Sequence, residues 1–398
     1  MIDKEITTPQ LASEEFCTGC LACVDVCKRD ALKVVEKYNH LYPSVDTNVC
    51  IGCGACEKIC PIVSPIPNIF DSNKAKVVAA WSKDDNIRLN AASGGFCTAM
   101  SLDTIREGGK VALCTWKNGK AFFILTDKPQ EIIEAANSKY VHSNALEIYR
   151  KVKESLDLGG KVLFVGLPCQ VAGIKGFLRK KDYGEKLKTI ELICSAPPSV
   201  EAIKLQETIA NQGSLIRFRT KTAEYKWGYD YNLQLCQDGN KTVVEQGNVR
   251  AIFYKIFASM LTARYSCLHC QFAKIERVAD YTVGDFHGYR TKQWDKGISL
   301  VICKDESSYD NLKLIESLEF ENSTISKAIS SNPRLYTGWD ALRYHPANVF
   351  RGLFSKMPTH FRFNMLVNKY PYRIIWMMFK LFTKINNRIK RKMVLKKI

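Results

Sequence analysis

What the chain lacks narrows its class first. No apolar run approaches the ~20 residues a helix needs to cross a bilayer. The opening residues, MIDKEITTPQLASEEF, hold no apolar block of the kind that directs secretion. A disulfide framework needs an oxidising compartment, so the 16 cysteines are expected to stay reduced, in the cytoplasm, and most of them to bind metal. No nucleic-acid-binding motif is visible, and no repeat beyond one among the cysteines. Acidic residues are missing from one region, since none follows Asp340. The last 58 residues carry 14 Lys or Arg; 58 basic residues less 14 leaves 44 against 40 acidic ones in the rest. The net charge of +18 therefore belongs to a cationic tail on a nearly neutral body. With 398 residues, 46% of them hydrophobic, there is room for about two or three domains with a real core.

What is present begins with the cysteines. Cys17, Cys20, Cys23 and Cys27 read C-x2-C-x2-C-x3-C, and Cys50, Cys53, Cys56 and Cys60 repeat that spacing 33 positions later. This is the bacterial ferredoxin pattern for two [4Fe–4S] clusters, in which the fourth cysteine of each run ligates the other cluster. The expected sets are Cys17, Cys20, Cys23 and Cys60, and Cys50, Cys53, Cys56 and Cys27. Gly19, Gly52 and Gly54 lie between ligands, where the backbone must bend tightly. Zinc favours paired C-x2-C units rather than three cysteines at steps of three. Lys28 stands where the second run has Pro61, which removes no ligand.

After a proline-rich joint, Pro61 to Pro67, strand-like runs alternate with helical patterns, which suggests an α/β body. The strands are expected at Lys76–Trp81, Lys110–Cys114, Lys161–Val165, Thr189–Cys194 and Ser299–Cys303. Helices are expected over Ala145–Leu156 and Val171–Lys180, and an antiparallel excursion between about 215 and 250. Gly166-Leu-Pro-Cys169-Gln170 follows a strand and precedes a helix, and a helix N-terminus favours thiolate. Cys194 ends another strand, and Cys267-Leu-His-Cys270 adds a C-x2-C pair. Strand ends on one side of an α/β sheet converge. Cys169, Cys194, Cys267 and Cys270 thus suit a further [4Fe–4S] cluster; a zinc site on the C-x2-C pair and a lone catalytic Cys169 are the alternatives. Cys97, Cys114, Cys236 and Cys303 read as buried and inert.

Three further segments have the character of cofactor loops. Ser93-Gly94-Gly95 precedes a helix start, where free N–H groups suit a phosphate. Ser138-Lys139-Tyr140 offers a cation and a ring to a planar group. Arg277 to Gly288 is a strand running into a tight turn through Thr282, Gly284, Asp285 and His287.

Together these segments resemble the coenzyme F420 hydrogenase/dehydrogenase beta-subunit family. The resemblance rests on Ser93-Gly-Gly95, Ser138-Lys-Tyr-Val141, Gly166-Leu-Pro-Cys-Gln170, Cys267-x2-Cys270, Ala279-Asp-Tyr-Thr-Val-Gly-Asp285 and Lys296-Gly-Ile-Ser-Leu300, over about residues 75 to 335. It implies FAD and a body [4Fe–4S] cluster. The flavin would lie against Ser93, Gly94, Gly95, Ser138, Lys139, Tyr140, Thr282, Gly284 and Asp285, with Asp285 and His287 as the catalytic pair. His287 stands where many relatives have Trp, and Ser195-Ala196 where a His-Gly often follows the second cysteine, so the resemblance does not name the substrate. The expected fold is an α+β ferredoxin-like module (1–68) and an α/β flavin-binding body with a mixed sheet. That body comprises the family's N-terminal (75–158) and C-terminal (159–335) regions. A basic tail (340–398) with an amphipathic helix follows. The implied function is a flavin-dependent oxidoreductase that passes electrons from the clusters through FAD to an organic substrate, with surface-polysaccharide assembly as one setting. The alternative is an electron-transfer subunit, linked to ferredoxin or F420, that serves a separate hydrogenase or dehydrogenase subunit. Oligomeric state is not legible.

From Pro371 the tail reads as a helix. Ile374, Met378, Leu381, Phe382, Ile385 and Ile389 share one side, and Lys380, Lys384, Arg388 and Arg391 the other. Such a helix suits the inner face of an anionic membrane, with each basic residue contributing about 1 kcal/mol.

Overall fold

The computed structural model describes residues 8–67, 70–210, 213–221, 232–244, 253–260, 262–291 and 294–336. The tail helix expected after Pro371 lies outside the described residues. Among those described, no helix is long and apolar enough to cross a membrane.

The N-terminal module turns its sequence repeat into a structural one. Helix α1 (Ala22–Val26) is followed by the hairpin β1 (Leu32–Lys37) and β2 (His40–Val45), then by α2 (Ala55–Ile59). Gly19 and Gly52, 33 positions apart, share φ = 66°, and the residues opening the two helices, Leu21 and Gly54, have φ of 64° and 66°. Leu21 adopts a left-handed conformation that its counterpart reaches without a Cβ. The hairpin closes through Tyr38 and Asn39, both at positive φ, as a two-residue turn between twisted strands requires.

The body is built on one eight-stranded sheet. Its strands are β3 (Lys76–Ser82), β4 (Lys110–Lys117), β5 (Lys120–Thr126), β6 (Val162–Gly166) and β7 (Leu187–Leu192), with three more later in the chain. A separate antiparallel sheet holds β8 (Ser214–Arg217), β9 (Leu233–Gln237) and β10 (Asn240–Val244), the excursion expected between 215 and 250. The large sheet is completed by β11 (Tyr281–Asp285), β12 (Ser299–Cys303) and β13 (Leu318–Ser323), in the order β13-β3-β12-β11-β7-β6-β4-β5. The four central strands β11, β7, β6 and β4 are parallel, and every pairing outside them is antiparallel. The sheet is therefore mixed, as expected. Buried runs such as Val162-Leu-Phe164 suit central parallel strands covered on both faces. Regions 75–158 and 159–335 are interleaved: β3 from the first lies between β12 and β13 from the second.

Some boundaries differ from those read in the sequence. The strand expected over Thr189–Cys194 runs instead from Leu187 to Leu192, leaving Cys194 just beyond its end. The helix expected from Val171 starts at Pro168, because a proline fits the first turn, where its missing N–H has no partner to lose.

That helix, α3 (Pro168–Leu178), carries the module's docking surface. Its Gly176 lies against the Ile59 carbonyl and its Gly173 against Cys20, and a Cβ at 176 would overlap the carbonyl. One apolar core runs from Leu21, Val24 and Ile59 of the module to Phe164, Val171 and Ile174 of the body. Asp25 secures the contact by accepting the amides of Glu147 (2.8 Å) and Tyr149 (3.1 Å), which open the helix α4 (Ile148–Asp157).

Candidate metal centres and cofactor loops

The two N-terminal cysteine runs fold round α1 and α2. Cys17, Cys20 and Cys23 lie close enough for each to feel the charge of Cys60, from the other run. These are the four residues that the crossed pattern assigns to one cluster. Burial pushes the Cys20 thiol up to about 12 and Cys56 up to about 11, and raises Cys17 and Cys23 as well. Without metal these thiols stay protonated, so cluster assembly must release protons. In the second set Cys53 is exposed and within reach of Cys56. The second set is therefore the more open of the two to solvent.

The four dispersed body cysteines come together. Cys169 sits in the first turn of α3, where β6 ends, and Cys194 follows β7. Cys267 lies in the short helix α5 (Tyr265–Leu268), and Cys270 is just beyond it. All four line one partly open cavity, together with His142, Arg277 and Arg334. Cys169 feels the charges of Cys194, Cys270 and Cys267, and burial pushes Cys194 up to about 11 and Cys267 up to about 12. The turn before Cys169 is fixed by Gln170, whose side chain accepts the Leu167 amide (2.9 Å) and donates to the Ser143 hydroxyl (2.9 Å). Arg334 donates to the Cys194 carbonyl at 2.9 Å, and Arg277 to the Arg334 carbonyl at 3.2 Å. Among the described residues no three His, Cys, Asp or Glu side chains converge on a single metal ion. An all-sulfur donor set spread round a cavity, with two arginines to balance charge, fits a multi-iron cluster better than one zinc ion.

The two cysteine groups are neighbours. Cys20 lies near enough for its charge to act on Cys169, and a Cβ on Gly173 would stand 3.4 Å from the Cys20 sulfur. Tyr149 donates to the Cys20 carbonyl at 2.8 Å. His142 is 3.1 Å from the Thr18 carbonyl, and burial, aided by Arg264, holds it down to about 3, so it is neutral.

The three cofactor-loop segments also meet, though not as expected in detail. Asp285, at the end of β11, forms a buried ion pair with Arg219, whose guanidinium also reaches the Tyr140 hydroxyl at 3.5 Å. His287 lies 3.7 Å from the same carboxylate. The Ser93 hydroxyl, however, donates to the Ile298 carbonyl (2.6 Å), and the Gly94 amide to the Ser299 hydroxyl (3.1 Å). That amide is not left free to cradle a phosphate. A Cβ on Gly94 would overlap the Ala80 carbonyl, and Gly95 takes φ = 85°, so the pair serves close packing of loop against sheet. Lys139 donates to the carbonyls of Ala135 and Asn137, just beyond the helix Pro129–Glu134, and burial pulls it down to about 8. Ser138 donates its amide to Asn137. The Thr282 hydroxyl donates to Glu191 (2.9 Å) inside the sheet, and Gly284 makes room for Ile193, next to Cys194. The groups that face one another here are Tyr140, Arg219, Asp285 and His287. The expected phosphate cradle is taken up by protein contacts.

Sequence reading missed four basic residues: Arg219, Lys221, Arg264 and Arg334. Lys221 donates to the carbonyls of Arg88 (2.7 Å), Ser93 (2.7 Å) and Lys296 (3.0 Å), tying three loops together. Lone basic residues in loops carry no spacing signal that could have singled them out.

Residues 77–150 match the N-terminal model of the coenzyme F420 hydrogenase/dehydrogenase beta subunit, and residues 159–327 match the C-terminal one. The chain belongs to that family. Residues 16–63 match a 4Fe-4S dicluster domain. An F(420)H(2) dehydrogenase subunit of Methanosarcina mazei is 23% identical over 197 residues, which is 46% of this chain and 55% of that protein. The coenzyme F420-dependent sulfite reductase of Methanocaldococcus jannaschii is 41% identical over 171 residues, 42% of this chain and 26% of that protein. The chain thus matches about half of the first relative's length and about a quarter of the second's. A chain from the F420-reducing [NiFe] hydrogenase complex of Methanosarcina barkeri superposes with a TM-score of 0.47 at 18% identity, covering 70% of this chain and 89% of that one.

Proposed function

We propose that this iron–sulfur protein relays electrons between an organic two-electron carrier of the F420 kind and a redox partner, as one subunit of an oxidoreductase. The observation that carries the reading is the convergence of Cys169, Cys194, Cys267 and Cys270 on one cavity, with Cys20 of the N-terminal set beside it. Cys17, Cys20, Cys23 and Cys60 would hold the inner N-terminal cluster, and Cys27, Cys50, Cys53 and Cys56 the outer one. The exposure of Cys53 makes the outer set the natural docking point for a protein partner such as ferredoxin. FAD is assigned to the side of Tyr140, Arg219, Asp285 and His287. Bound cofactors would supply one-electron steps at the clusters and exchange between single electrons and a hydride at the flavin. Around them Arg219 holds the Asp285 carboxylate in place, and Gln170 fixes the turn that presents Cys169. Nothing in the described residues or the relatives selects a surface polysaccharide as the setting.

Full-length protein purified without oxygen should hold about twelve irons, four per cubane at three sites. It should also be reduced by F420H2. About eight irons would remove the body cluster, and full iron with no response to F420H2 would remove the carrier.

The tail belongs to the same proposal as a peripheral anchor. Full-length protein should float with anionic vesicles while a version ending at Tyr370 does not, and salt should weaken the binding because charges are screened over about 8 Å. Equal flotation of both would sink it.

A further inference from the structure

We propose that Arg264 is a fixed positive charge between the inner N-terminal centre and the body centre, raising the reduction potential of both. The inference rests on the cluster assignment above.

Arg264 is fully buried, with 0% of its surface exposed. It physically joins the two cysteine groups. Its carbonyl accepts the amide of Cys267 at 3.0 Å, and its guanidinium donates to the carbonyl of Cys17 at 3.4 Å. The guanidinium also donates to the Leu41 carbonyl and lies over the Tyr42 ring, 4.2 Å from its centroid. Gly19, in the first cysteine run, makes the room: a Cβ there would overlap the guanidinium.

The partners so described are two carbonyls and a ring, none of them anionic. The Nε of Arg264 has no acceptor among the described residues. A buried charge is costly unless something of opposite sign compensates it. Four thiolates round each cubane would supply that charge from both sides, and it grows by one on reduction. A cation fixed nearby therefore favours the reduced form, with little screening in a buried setting. Arg277 and Arg334 line the body cavity. Arg264 also touches the first cysteine run, so it acts on both centres.

The test is a potentiometric titration, followed by electron paramagnetic resonance, of the full-length protein with all clusters loaded. Arg264→Gln should make reduction of the inner and body centres at least tenfold less favourable, a fall of about 59 mV for one electron. The outer centre, ligated by Cys27, Cys50, Cys53 and Cys56, should move much less. Arg264→Lys should hold both potentials near wild type. Unchanged potentials in the glutamine variant, or an equal fall at all three centres, would overturn the proposal. Should the glutamine variant take up too little iron, the lysine variant decides. Full loading with both potentials held supports a role for charge. Fallen potentials, or failure to load, would show that shape matters instead. Wild-type protein with only about eight irons would remove the body cluster, and the inner centre alone would then decide for or against Arg264.

Discussion

Changing Cys169 to alanine in the full chain should remove about four of about twelve irons and leave the N-terminal clusters intact. The reasoning starts from the cavity. Cys169 stands on the helix that docks the module, within reach of the charges of Cys194, Cys267, Cys270 and Cys20. The other three ligands come from two other segments, so nothing nearby in sequence replaces it. Alanine is the right substitution because serine can offer an oxygen ligand. The variant should still take up electrons at its outer clusters, yet their exchange with F420H2 should drop to background, because the step between module and flavin is gone. Iron analysis and resonance spectra of the two proteins side by side measure this. A variant with wild-type iron and spectra would show that Cys169 is no ligand, and a variant with normal exchange would show that electrons take another path.

How much was legible follows from the range of each signal. The N-terminal ligands were readable because their geometry is local: 33 residues separate two copies of one loop, and the matching φ angles at Gly19 and Gly52 repeat the spacing in three dimensions. The body cysteines were readable at one remove, since strand ends on one side of a parallel sheet must converge. Side-chain direction was not readable. Ser93 and Lys139 lie where cofactor loops were expected, but each bonds to a backbone carbonyl of its own surroundings, which a motif does not record. Thr282 alternates inward on β11 and meets Glu191 instead of the loop end. Arg264 was invisible for another reason. Its significance lies in a contact with Cys17 across 247 positions, and no pattern within a window reaches that far.

The docking helix allows a second large effect to be separated from local propensity. Alanine in place of glycine inside a helix normally adds roughly 0.5–1 kcal/mol of stability. At Gly173 the added Cβ would meet the Tyr149 hydroxyl at 3.1 Å and Cys20 at 3.4 Å, contacts that small shifts relieve. At Gly176 it would meet the backbone carbonyl of Ile59, which cannot move without moving Cys60, the residue proposed as a ligand of the inner cluster. Gly173→Ala should therefore be close to neutral. Gly176→Ala should cost about 1–3 kcal/mol, as overpacking of a close contact does. The loss should fall on docking, because the body sheet and the module's own helices are untouched. Iron content should remain near wild type, while electron exchange between the N-terminal clusters and the body slows, since the clash pushes Cys20 away from Cys169. Thermal unfolding of the two variants gives the stability part, and rapid-mixing reduction gives the exchange part. If Gly176→Ala is as stable as wild type and exchanges electrons at the same rate, the helix contact with Ile59 does not hold the module where the relay needs it.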